Sequence, residues 1–85
     1  MDAAAREFLV RILETPSPSG YEQPVQRLVR DYLSGVADTI TTDSHGNVIA
    51  GKNPGGKTRM LLAGHCDQIG LIVQYIDGDG YISVQ

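Results

Sequence analysis

At 85 residues, with 41% hydrophobic and 20% charged side chains, the chain has the composition of an ordinary globular protein and the length of one small domain at most. A net charge of -3, with seven Lys and Arg scattered along the chain, leaves no electrostatic footprint for nucleic acid. The single cysteine, Cys66, excludes an intramolecular disulfide scaffold. No signal peptide is visible and no apolar run approaches the ~20 residues of a membrane span, so a soluble, cytoplasmic protein is expected.

The first element reads as a helix from Ala3 to Glu14, with Asp2 as N-cap and Phe8, Leu9, Ile12 and Leu13 as a narrow apolar stripe. Pro16 and Pro18 stop it and open a turn-rich connector, Thr15 to Gly20. A second helix follows, with Val25, Leu28, Val29, Tyr32 and Leu33 on one face. Ser19 and Glu22 have capping-box spacing. A start near Tyr21 leaves Pro24 in the first turn, where its missing N–H costs nothing, and Gly35 is the natural C-terminal cap.

The period then changes. Asp38 to Thr42 reads as a strand, Asp43 to Asn47 as a turn and Val48 to Ala50 as the returning strand. Gly51 to Thr58 is a polar loop, and Met60-Leu61-Leu62-Ala63 has the continuous apolar character of a strand buried on both faces. Ile69 to Ile76 and Tyr81 to Gln85 read as a hairpin around Asp77-Gly78-Asp79-Gly80. The expected order is thus two helices and then about five strands. The last strand reaches Gln85 without a closing signal, which reads as a chain cut rather than finished.

Two motifs could carry chemistry. Gly64-His65-Cys66-Asp67-Gln68-Ile69-Gly70 directly follows the apolar run, so His65 would stand at the C-terminal end of a strand, where open α/β sheets place ligands. Imidazole is a common zinc ligand, and a carboxylate two residues on can turn back to orient it. On spacing alone, a hydrogen-bonded core histidine fits as well. Cys66 would point the other way along an extended segment. The second motif, Gly51 to Thr58, fits the phosphate-binding pattern G-x-x-x-x-G-K-[ST], with Lys57 and Thr58 in the positions that meet phosphate and magnesium. That motif must open a helix, and the sequence after Thr58 favours strand. His45, Asp43, Asn47, Asp77 and Asp79 read as turn residues.

Taken in order, the residues resemble the glutamyl aminopeptidase/endoglucanase-like family of co-catalytic metallo-aminopeptidases, which includes tetrahedral and deblocking aminopeptidases. The resemblance rests on Ser17-Pro18-Ser19-Gly20-Tyr21-Glu22, on Asp43 to Ala50, on Leu61 to Leu71 with its His65-Cys66-Asp67-Gln68 core, and on the strand through Asp77 to Tyr81. It implies an α/β fold, the start of an αβα-sandwich metallopeptidase domain. Residues 1–68 would belong to the catalytic domain and 69–85 to the first hairpin of an inserted β-rich dimerisation domain. It further implies that His65 is a ligand of a site for two divalent metal ions, zinc or cobalt, and that Asp67 is the carboxylate orienting His65. Peptides would be the substrates, and a homo-oligomer the assembled form. The family most often has Met and Glu where Cys66 and Gln68 stand here, and Gln68 removes a negative charge near the site. The family's bridging aspartate, general base and remaining ligands come later in the chain than these residues reach, so the 85-residue chain is expected to be inactive without the remainder of its parent. Two other readings remain at this point: a nucleotide binder using Gly51 to Thr58, and a non-catalytic module that kept the start of the fold.

Overall fold

The computed structural model describes residues 1–85. Two helices, α1 (Ala3–Glu14) and α2 (Gln23–Leu33), precede four short strands, β1 (Thr39–Thr42), β2 (Val48–Gly51), β3 (Val73–Ile76) and β4 (Ile82–Val84). The strands form two separate antiparallel hairpins, β1–β2 and β3–β4. The fold is therefore mixed α/β.

Helix α1 begins as its sequence dictates. Asp2 has extended backbone geometry and its Oδ1 accepts from the Ala5 N–H at 2.7 Å, satisfying one of the unpaired donors of the first turn. Its inward side packs on α2, where the Phe8 and Tyr32 rings stack with centroids 3.7 Å apart. Helix α2 starts at Gln23, two residues after the expected Tyr21, and Pro24 lies in its first turn. The capping box does not form. Glu22 reaches back to the Gly20 N–H, and Ser19 uses its hydroxyl elsewhere. Gly35 does not take the left-handed conformation of a C-terminal cap. The chain continues in a right-handed turn, closed by Ser34 N–H on Arg30 O and Ala37 N–H on Leu33 O.

Helix α2 also holds the first hairpin. Arg30 donates to Thr42 Oγ1 at 2.7 Å, and Gln26 donates to the Gly46 carbonyl at 3.0 Å. The register pairs Thr39 with Gly51 and Thr42 with Val48. In the second hairpin Val73 pairs with Val84 and Ile76 with Ile82, and a register shift between Val73 and Tyr75 marks a bulge. The Ile72 and Gln85 backbones exchange two further hydrogen bonds, but residues 69–71 stay outside the ladder.

The expected central strand is absent. Met60 to Ala63 form no ladder, and Met60, Leu61 and Leu62 are each more than four-fifths exposed. A strand exists only through hydrogen-bonded neighbours, and no strand of these 85 residues pairs with this run. The chain has four strands rather than about five. Only Val25 and Ser17 are fully buried. The exposed area of 7272 Å² compares with roughly 4,900 Å² for a compact monomer of this mass. The radius of gyration, 17.0 Å, compares with about 12 Å for a compact chain of this length. No helix is long and apolar enough to cross a membrane.

The phosphate-loop reading fails on this backbone. No helix follows Thr58. Within the loop, Asn53 takes a left-handed conformation with φ 51, the Gly56 N–H donates to its carbonyl, and the Asn53 N–H and the Lys52 ammonium both turn to the Asp38 carboxylate. The segment is a self-satisfied hairpin extension without the helix N-terminus that phosphate binding needs.

Candidate metal-ligand site

His65, Cys66 and Asp67 lie on an irregular segment tied to the helix connector next to them at Gln68. The Gln68 N–H donates to the Ser17 carbonyl at 2.7 Å, and Pro18 and Gln68 form an isolated parallel bridge. This joins the connector between the helices to the segment carrying the candidate residues. Gly70 is part of the fit: a Cβ there would lie 2.9 Å from Pro18 Cβ, so any larger residue must displace the connector.

The two-residue spacing of His65 and Asp67 brings Nδ1 of the imidazole to 3.0 Å from Asp67 Oδ1. An ionised carboxylate can only accept, so Nδ1 donates, and in the neutral imidazole this leaves the lone pair on Nε2. Two donors hold the Asp67 carboxyl below the usual carboxylate range, first the Ser19 hydroxyl on Oδ2 at 2.7 Å and then His65. The His65 side chain is 86% exposed and Asp67 40%, so the free face of the imidazole is open to whatever approaches it.

The pair borders an open cleft of about 660 Å³ between α2, the first hairpin and residues 61–67. His45, Glu22 and Gln26 border the same cleft. His45, read from the sequence as a turn residue, is thus on the same side as His65. Cys66, expected to point away, also borders the cleft and is half-buried. Burial, followed by the negative charges of Asp67 and Glu22, pushes its thiol pKa up, the opposite of what a nucleophilic cysteine needs.

Nowhere in the chain do three or more His, Cys, Asp and Glu side chains converge. A catalytic zinc takes about three protein ligands. The residues present therefore fit one ligand and its orienting carboxylate, and do not by themselves make a metal site. Ser19, at capping-box spacing from Glu22, instead meets Asp67, 48 residues away, a contact that no local spacing signals.

The sequence profile of the M42 glutamyl aminopeptidase family matches residues 46–85, a stretch that contains His65 and Asp67. These residues belong to the M42 family. The wider chain agrees with this assignment. It is 44% identical over 79 residues to a lysyl aminopeptidase of Pyrococcus furiosus, covering 92% of this chain and 22% of that protein. It is 36% identical over 64 residues to a putative aminopeptidase of Acetivibrio thermocellus, covering 75% and 19%. It is 32% identical over 76 residues to the putative aminopeptidase FrvX of Escherichia coli, covering 89% and 21%. The chain thus spans about a fifth of the length of these relatives. No solved structure matches it.

Proposed function

We propose that these residues are part of the catalytic domain of a two-metal aminopeptidase, in which His65 is a metal ligand and Asp67 its orienting carboxylate. The observation that carries the reading is the His65 Nδ1–Asp67 Oδ1 pair, which leaves Nε2 free on an open face within the M42-matched segment. A ligating histidine commonly gives its other N–H to a carboxylate, which sets the tautomer and raises ligand basicity. Held by His65 together with ligands from the remainder of the protein, two divalent ions, zinc or cobalt, would supply an activated water and a polarised scissile carbonyl. The work of this chain is narrower: it presents one imidazole in one tautomer and one orientation. The other ligands and the general base belong to the remainder of a longer protein, and the 85-residue chain alone has no peptidase activity. Aminopeptidases remove N-terminal residues, so peptides with a free amino terminus are the substrates.

The same reading accounts for the exposed apolar residues. Met60, Leu61 and Leu62 become a central strand when later strands of an αβα sandwich flank them. Residues 1–68 then belong to the catalytic domain, and 69–85 open an inserted β-rich domain through which copies assemble in the cytoplasm.

Titration of zinc and cobalt into the 85-residue chain and into the full-length protein tests this. Two tightly held ions and release of N-terminal residues are expected only for the full-length protein. Replacing His65 with Ala should weaken one of the two ions by about 100-fold or more and abolish turnover. Equal metal binding by wild type and His65→Ala would refute the assignment.

A further inference from the structure

The contact between the helix connector and residues 66–70 is held by the backbone. The Gln68 N–H on the Ser17 carbonyl, the Pro18–Gln68 bridge and the close approach of Pro18 to Gly70 form it without any side-chain hydroxyl. Ser19 follows Pro18 on the connector and Asp67 precedes Gln68 on the facing segment, and there the Ser19 hydroxyl donates to Asp67 Oδ2 at 2.7 Å. Asp67 Oδ1 meets His65 Nδ1 at 3.0 Å. The carboxylate is therefore gripped at both oxygens by residues from two distant parts of the chain.

We propose that Ser19 is a positioning residue for His65, acting through Asp67; this deepens the functional reading above and rests on it. A carboxylate with one partner can rotate about its Cβ–Cγ bond, and the imidazole it holds swings with it. A second donor on the other oxygen fixes the carboxylate plane, and through it the direction of the Nε2 lone pair. Ser19 is available for this because it does no capping: α2 has no side-chain cap bond at its N-terminus. Nor is the hydroxyl needed to dock the connector, which the backbone contacts already secure. Its loss should therefore change metal binding without unfolding the protein.

The test uses the full-length protein carrying these residues, with Co(II) as the probe. Ser19→Thr keeps the hydroxyl, and Ser19→Val keeps the shape of threonine without it. Ser19 is exposed, so the added methyl has room in both variants. Ser19→Val and Ser19→Ala are expected to bind Co(II) about tenfold more weakly, the lower end of the loss seen when a partner behind a metal ligand is removed. Their visible absorption bands should shift, because the ligand direction at the metal changes. Ser19→Thr should restore both affinity and spectrum, while thermal unfolding of the metal-free proteins stays level across the set. Equal Co(II) affinity and an unchanged spectrum in Ser19→Val and Ser19→Thr would overturn the role of Ser19 while leaving His65 as ligand intact. A wild-type protein that holds no Co(II), or holds it as well without His65, would overturn both.

Discussion

The two hairpins of this protein use the same turn in different surroundings. In the first, Asp43 Oδ1 accepts from the His45 and Asn47 N–H groups, and the Gly46 N–H closes on the Asp43 carbonyl. In the second, Asp77 Oδ1 accepts from the Asp79 and Tyr81 N–H groups, and the Gly80 N–H closes on the Asp77 carbonyl. Gly46 and Gly80 have nearly equal positive φ, 88 and 89, a region other residues seldom enter. A five-residue Asp-x-x-Gly-x stretch thus builds its own turn wherever it falls. The surroundings differ. Helix α2 reaches the first hairpin through Gln26 and Arg30, whereas every residue of β3 and β4 is exposed. Turn geometry is local in origin, and docking of a hairpin depends on what else the chain brings near it.

The comparison can be broken at several points. The largest effect is expected from Val25→Ala, which empties the only fully buried apolar position, on α2. A loss of about 2 kcal/mol is expected from two buried carbons and the space they leave. Amide hydrogen exchange should quicken in α2 and the first hairpin and stay unchanged in β3–β4; equal acceleration in both would show that the hairpins are coupled after all. Next come Gly46→Ala and Gly80→Ala, each expected to cost about 1 kcal/mol for placing a Cβ in the left-handed region. Neither added Cβ has a steric neighbour within 4 Å, so the costs should match. Unequal losses, read from the opening free energies of the two ladders, would mean that tertiary contacts enter the turn.

The smallest effect is electrostatic. The Asn47 side chain, followed by its backbone N–H, holds the Asp43 carboxyl below its ordinary pKa of 3.8. A carboxyl whose pKa falls on folding contributes stability that is complete above the unfolded value and disappears as pH drops through the lower, folded one. The His45 and Asn47 amide resonances should therefore shift with a midpoint below 3.8, and the step should vanish in Asp43→Asn. A midpoint at the ordinary carboxylate value would mean that the turn is not formed in solution.

Much of the fold and some of the candidate site were legible in the amino-acid order. The bounds of α1, the Asp2 cap, both turns and the inward face of α2 follow from interactions between residues two to four apart. The approach of Asp67 to His65 has the same origin, since two residues of spacing suffice to fold the carboxylate back. Of the departures, one is long-range and one local. The spacing around Ser19 points to the nearest helix, and its true partner is 48 residues away. Gly35 is the residue type of a C-terminal cap, but the chain beyond α2 continues right-handed through Ser34.

By itself, the sequence determined everything that a short stretch of backbone can satisfy within its own reach: two helices, two Asp-Gly turns and an imidazole paired with a neighbouring carboxylate. Only the tertiary structure decided that the helix connector lies against residues 66–70, that Ser19 serves Asp67 instead of α2, and that Met60 to Ala63 remain without a ladder. The physical reason is that an apolar run or a hydroxyl carries no record of its distant partner. Local hydrogen bonds form at little entropic cost, but a strand or a long-range side-chain contact exists only where packing has already brought its partner alongside.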